Sequence, residues 1–301
     1  MEISNHHTHQ RRNYNRAFGI GIVLNVIFVV IEAAYGIAAD SMALVADAGH
    51  NLSDVLSLLL AWGAGVLASK SATEQRTYGF RKLTIMAPIA NAILLLLALG
   101  GIAWESIGRL AAPQEVHALT VIVVAAIGVV INTLTALLFA SGQKEDLNIK
   151  GAFLHMAADA GVSFGVVVSG IIIMFTGWLL IDPLVSLFIA AVILAGTWSL
   201  LKDSMNLAID SVPKSIDISG IRSYLTGLDP VCQIHDLHVW AMSTTEVAMS
   251  VHLIVIEKDM AADFLPVLQR QLHDRFGIEH ATIQIEQQDC MPCTLDKNQC
   301  I

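Results

Sequence analysis

The strongest limit on what this chain can fold into is a series of long apolar stretches, at about residues 16–38, 42–67, 83–106, 117–140, 151–176 and 179–201. At a rise of about 1.5 Å per residue, each is long enough as a helix to cross a hydrocarbon core of about 30 Å. Inside a bilayer every backbone N–H and C=O must be satisfied within the protein, so a span of this kind is a helix. The interruptions carry turn or charge signals: Ala39-Asp40-Ser41, Lys70 to Lys82, Ala112-Pro113-Gln114, Gln143 to Lys150, and Gly177 with Asp182-Pro183. The sequence therefore predicts an α-helical membrane protein with a six-helix transmembrane bundle.

Orientation follows from the cations. Arg11, Arg12, Arg16, Lys70, Arg76, Arg81, Lys82, Lys144, Lys150, Lys202 and Lys214 fall on one side of the predicted bundle, and Arg109 stands alone on the other. The positive side is cytoplasmic, which places both termini in the cytoplasm. The first sixteen residues are polar and basic and the first apolar run is long enough to span, so no cleavable signal peptide is expected. The net charge of −9, with no basic stripe, argues against a nucleic-acid partner.

Apolar bias ends near residue 202, and the remainder has the composition of a soluble domain. Asp217 to Leu228 is a short helix candidate, Val231 to Trp240 and Glu246 to Ile256 read as strands, Ala261 to Phe276 has helical periodicity, and Ala281 to Glu286 alternates like a strand. An αββαβ order suggests a small two-layer α+β domain. The expected organisation is a cytosolic tail over 1–15 containing His-rich HHTH, a transmembrane domain over 16–210, a cytosolic α+β domain over 211–289 and a Cys-containing tail over 290–301.

Two motifs inside the apolar stretches carry the chemistry: His50-Asn51-Leu52-Ser53-Asp54 and His155-Met156-Ala157-Ala158-Asp159. Spacing of four stacks an imidazole and a carboxylate on one helix face, one turn apart. Counted along the two spans, Asp54 lies about 20 Å from the outer end of its helix and Asp159 about 12 Å from the inner end of its own, so the motifs meet near mid-depth. Two such helices facing each other offer two nitrogens and two carboxylate oxygens, a tetrahedral set suited to Zn²⁺. The plainer alternative is a pair of interhelical hydrogen bonds that hold the bundle together. Two identical pairs at one depth favour the metal reading, because intramembrane ionisable groups are costly.

Metal ligands must be deprotonated, so metal and protons compete for the same atoms. Imidazole titrates near physiological pH. Asp47 lies on the same face as His50 and Asp54, nearer the outside; it is either a proton relay or a cap at the helix mouth. Glu32 and Asp40 are expected near the outer interface, and Asn25, Asn91 and Asn132 as interhelical hydrogen bonders.

With these residues in hand, the chain resembles a cation diffusion facilitator, the family of proton-coupled zinc exporters. The resemblance rests on Ser41 to Asp54 (SMALVADAGHNLSD), Tyr78 to Lys82 (YGFRK), His155 to Asp159, and His235 to Trp240 (HDLHVW), and covers nearly the full length. It implies a homodimer whose six-helix domain carries a metallochaperone-like cytosolic domain and exports metal in exchange for inward-moving protons. Manganese- and iron-type relatives tend to have Asp in place of the first His. With His at both first positions, imidazole ligands favour Zn²⁺, with Cd²⁺ and Co²⁺ as further cargo.

The resemblance also implies an interlock between Lys82 and Asp210 that stabilises the dimer; the alternative is that both are solvated interface residues. The loop Lys70 to Thr77 contains no His, so no metal site is expected there. Regulatory Zn²⁺ is implied at His235, His252 and Glu286. By strand alternation His238 shares a face with Asp236 rather than with His235, and is either a ligand or a packing histidine.

All four cysteines (Cys232, Cys290, Cys293, Cys300) fall in the tail, where a cytosolic setting favours metal binding or free thiols over disulfides. Cys290 and Cys293 form a lone CxxC. Resemblance to some relatives implies that it is completed by the amino-terminal His6, His7 and His9 of the partner subunit; the alternative is an incidental tail without a metal role.

The function expected is a Zn²⁺/H⁺ antiporter of a bacterial inner membrane, not an enzyme, working by alternating access. A zinc sensor that binds without transporting is the alternative. An intramembrane hydrolase is disfavoured because there is no HExxH and no spare carboxylate to activate water. A closed four-ligand site disfavours a channel.

Overall fold

The computed structural model describes residues 15–140, 147–229, 231–255 and 263–287. Six long helices come first: α1 (Asn15–Ala38), α2 (Met42–Ala68), α3 (Leu83–Ala111), α4 (Ala118–Ala140), α5 (Leu147–Thr176) and α6 (Ile181–Ala208). They are followed by α7 (Ile218–Thr226), β1 (Val231–Ala241), β2 (Val247–Val255), α8 (Phe264–Phe276) and β3 (His280–Gln287). Helices α2 to α6 each contain a segment long and apolar enough to cross a membrane, and the described part of α1 adds a shorter apolar helix over Asn25–Ala38. The six-helix pattern and the αββαβ order both match the expectation. The main difference is that α3 and α6 run on past the apolar segments read from sequence, since polar residues on an exposed end continue a helix without a breaker.

The residues form two compact units, one of 1–58 with 94–197 and the other of 59–93 with 198–301. In the first, α4 and α5 pack along each other and α1 lies against α4. Gly128 on α4 makes this approach possible, because a Cβ there would sit 2.7 Å from Phe28 Cζ and 3.1 Å from Ser163 Oγ. Buried Phe28, Leu44, Leu99, Val121, Val166 and Ile189 form the core between these helices.

The start of α2 is fixed by side chains from two other helices. Asp182 on α6 accepts from Met42 N at 2.7 Å and from Ser41 Oγ, satisfying donors that a helix N-terminus leaves without intrahelical partners. Asp40 turns the chain between α1 and α2 with φ 52, and its carbonyl accepts from Arg109 Nη1 on α3.

In the second unit the sheet order is β1-β2-β3, with β1 and β2 antiparallel and β2 and β3 parallel. Ile221 and Leu225 of α7 and Leu268 and Leu272 of α8 bury their faces against Met249, Val251 and Leu253 of β2. Asp217 caps α7 by accepting from Gly220 N at 3.0 Å. Gly277, with φ 68, ends α8 in the left-handed conformation glycine tolerates, its N–H reaching His273 O.

The α2–α3 loop docks into this unit through the YGFRK segment. Tyr78 meets the His280 ring edge-on at 5.9 Å between centroids, Arg81 pairs with Glu246 at 3.2 Å, and Lys82 pairs with Asp210 at 2.6 Å. Thr84 Oγ1, at the start of α3, accepts from Thr244 N.

Candidate metal centres

Helices α2 and α5 bring the two predicted motifs together. His50 Nε2 lies 3.2 Å from Asp159 Oδ1 and 3.9 Å from Asp54 Oδ2. His155 Nε2 lies 3.3 Å from Asp54 Oδ2 and 3.8 Å from Asp159 Oδ2. A tetrahedron with metal–ligand bonds of about 2.0 Å has edges of about 3.3 Å. The His50–Asp159 and His155–Asp54 contacts match that edge, and the two i,i+4 pairs are about half an ångström longer. The imidazoles meet edge-on, with centroids 6.1 Å apart, as two nitrogens converging on one point do.

The cluster is graded in access. Asp159 is 2% exposed, His50 20%, Asp54 31% and His155 45%, so it is closed at Asp159 and open at His155. Ligand atoms of His50, Asp54 and Asp159 all lie within 4.8 Å of one another, and His155 stands beside them on the open side, against Asp54.

A second layer of polar groups adjoins these four. Asp47 and Glu32 are both fully buried. Ser163, one turn beyond Asp159 on α5, donates to Asp47 Oδ2 at 2.7 Å, and Asn51 donates to Glu32 Oε2 at 3.0 Å. The interfacial position expected for Glu32 is corrected here: α1 turns this face onto α2, and protein surrounds the carboxyl group. Of the expected hydrogen bonders, Asn25 reaches Met156 Sδ on α5 at 3.8 Å, while neither polar side-chain atom of Asn132 finds a partner among the described residues.

The tail domain assembles its own cluster. His235 on β1 pairs directly with His252 on β2, and their rings lie 4.9 Å apart. Glu286 on β3 joins both, with Oε2 3.1 Å from His235 Nε2 and Oε1 2.9 Å from His252 Nδ1. Hydrogen bonding from His235, and then the nearby His252, holds the Glu286 carboxyl below its ordinary value. These three residues are close enough to share a metal ion.

Asp236 meets His238, as strand alternation expects, and reaches His252 as well. It takes φ 53 at a break in the β1–β2 register between His235 and His238. This bulge brings Asp236 Oδ1 to 2.9 Å from His238 Nε2 and Oδ2 to 3.6 Å from His252 Nε2. The His238 contact lowers the Asp236 pKa.

His6, His7, His9, Cys290 and Cys293 lie outside the described residues. Cys232 is disulfide-bonded, which corrects the expectation of free or metal-bound thiols for that residue. That expectation came from compartment chemistry, which carries no information on which sulfurs the fold brings together.

Comparison with known proteins places the geometry in context. Residues 19–207 match the family described as cation efflux transmembrane domain, and residues 213–288 match the cation efflux protein, cytoplasmic domain. The metal cation efflux system protein CzcD of Cupriavidus metallidurans is 34% identical over 94% of this chain and 90% of its own length. A cadmium, cobalt and zinc/H(+)-K(+) antiporter of Bacillus subtilis is 34% identical over 93% of this chain and 91% of its own. Zinc transporter ZitB of Escherichia coli is 36% identical over 87% of this chain and 84% of its own.

Proposed function

The chain belongs to the cation efflux family, the cation diffusion facilitators, and on that premise we propose that it is a Zn²⁺/H⁺ antiporter that exports zinc from the cytoplasm. Members of this family are transporters, so the chain is a multi-pass membrane transport protein and not an enzyme.

The observation that carries the proposal is the convergence of His50, Asp54, His155 and Asp159 from two facing helices, with N–O contacts of 3.2 to 3.9 Å. Two imidazole nitrogens and two carboxylate oxygens suit Zn²⁺ better than Mn²⁺ or Mg²⁺, and admit Cd²⁺ and Co²⁺. The relatives' names speak of zinc, cadmium and cobalt. Because each ligand binds either metal or a proton, protons arriving from outside displace the ion, and a proton-poor cytoplasmic side lets the next one bind. Alternating access exposes the site first to one side and then to the other.

In this reading residues 16–210 form the transmembrane domain of a homodimer in a bacterial inner membrane, with both termini in the cytoplasm. Residues 211–289 form its cytosolic domain. Zinc at His235, His252 and Glu286 tightens the cytosolic dimer and favours transport, and Lys82–Asp210 ties the α2–α3 loop to that domain. Cys290 and Cys293, with His6, His7 and His9 of the partner subunit, form a further tail site.

The test is Zn²⁺ uptake into inside-out proteoliposomes under an imposed proton gradient, for wild type and Asp159→Ala. Uptake that follows the gradient in wild type and disappears in the variant is expected. Flux that survives in Asp159→Ala overturns the site. Binding without flux in wild type makes the protein a sensor.

A further inference from the structure

Glu32 on α1 and Asp47 on α2 are fully buried carboxyl groups outside the four-ligand cluster. Each has one oxygen held by a neutral donor: Asn51 Nδ2 on Glu32 Oε2 and Ser163 Oγ on Asp47 Oδ2. Each has a second oxygen, Glu32 Oε1 and Asp47 Oδ1, buried with no hydrogen-bond partner among the described residues. Asn51 sits one helical turn from Asp47 on the same face of α2, so the donor that holds Glu32 also brings it beside Asp47. Asn51 thus ties Glu32 to the stretch of α2 that carries Asp47.

Two buried carboxyl groups on adjoining helices, each with an acceptor that lacks a donor, leave room for one shared proton. Two buried negative charges with no cation opposite them are costly, and an orphaned buried oxygen adds to that cost. A single proton shared by the two groups removes one charge and gives both orphaned oxygens a partner. Among the described residues no Lys or Arg pairs with either group: α4 has no ionisable residue over Ala118–Ala140, α5 contributes Asp159 and His155, and α2 contributes Asp54 and His50, whose Nε2 faces Asp159.

We propose that Glu32 and Asp47 form a proton-binding site separate from the metal ligands, in which Glu32 keeps a proton on Oε1 and donates it to Asp47 Oδ1, and that this proton is exchanged during transport. The site lies one turn beyond His50 on α2 and one turn beyond Asp159 on α5, on the outer side of the cluster. External protons therefore reach this pair before the metal ligands. Its role in the cycle rests on the antiport reading; the proton itself does not.

The experiment is infrared difference spectroscopy on the full chain in lipid at neutral pH, wild type against Glu32→Gln. A protonated carboxylic acid carbonyl band, sensitive to D₂O, is expected in wild type and absent from the variant. Zn²⁺ alone should shift it. In Asp47→Asn, the same band should move rather than disappear, which guards against misfolding of one variant.

A difference spectrum without that band overturns the proposal, and so does a band unmoved by Zn²⁺. Loss of the band on adding K⁺ at constant pH would make the pair a monovalent metal site instead. In proteoliposomes Glu32→Gln should keep zinc affinity within about threefold while gradient-driven uptake falls about tenfold; unchanged uptake overturns the exchange. Should wild type itself show no zinc–proton exchange, the antiport reading fails while the infrared band still decides the pair.

Discussion

Asp182 on α6 caps the helix that carries half of the proposed metal site, accepting from Ser41 Oγ and from Met42 N at 2.7 Å. Because the contact is buried, removing the carboxylate leaves donors unsatisfied at about 1–3 kcal/mol. Asp182→Ala should lower thermal stability in detergent by that order, with Asp182→Asn recovering part of it. Zinc affinity should fall less than about tenfold, since His50 lies two turns on and keeps its own partners. Thermal unfolding and calorimetry on the same samples check both halves.

His50→Asp replaces one imidazole by a third carboxylate at the transport cluster. Harder oxygen ligands favour Mn²⁺ relative to Zn²⁺. Zinc affinity should drop by roughly tenfold or more, with Mn²⁺ uptake rising against it. Competition uptake with both metals measures the ratio, and an unchanged ratio would remove His50 from the ligand set.

Lys82 and Asp210 stand 2.6 Å apart, each about half exposed, and an exposed pair contributes about 0–1 kcal/mol. Lys82→Glu or Asp210→Lys alone should weaken the dimer by up to about fivefold. The double reversal should restore it, as read by mass photometry across a dilution series. Failure of the double variant to recover would leave the pair as a solvated contact.

The tail sheet should soften in acid. Glu286 is held below its ordinary value near 4.5 by His235 and His252, so the unfolded chain binds more protons than the folded one as pH falls through that region. The stabilisation is present above the ordinary value and lost as pH drops through the folded one. In chelator-treated protein, amide exchange in β3, corrected for its intrinsic rate, should show this loss, and Glu286→Gln should not.

Truncation before Gln10 removes His6, His7 and His9. If the partner's tail completes the Cys290–Cys293 site, each dimer should bind less zinc by elemental analysis, while the His50 cluster keeps its ion. Unchanged stoichiometry would argue for a tail without a metal role.

How much was legible in the sequence depended on periodicity. The six helices and the order of the tail elements follow from apolar run length and from the change of period after Ser211. His50, Asp54, His155 and Asp159 were legible because spacing of four fixes a shared helix face. Glu32 was not: its burial depends on which face of α1 meets α2, a tertiary choice that a uniformly apolar helix leaves open. Ser163 carried a faint signal, one turn from Asp159. The reach of Asp236 to His252 carried none, because a bulge breaks the alternation on which strand reading depends. Asp182 was visible only as a helix-start residue, not as the cap of a different helix.

That bulge gives β1 a property best described as parity. Ile234 before it and Leu237, Val239 and Ala241 after it all face the core, although they differ in odd–even phase along the chain. The additional residue at Asp236 changes the phase between Ile234 and Leu237, the second of two register shifts in the strand, so His235 can reach Glu286 while the rest of the strand still buries its apolar side. Deleting one residue here would invert half the strand, exposing the core positions or turning His235 away. Substitutions can tune the metal ligands one at a time, but this stretch of chain cannot change its length by one without losing either the core or the site.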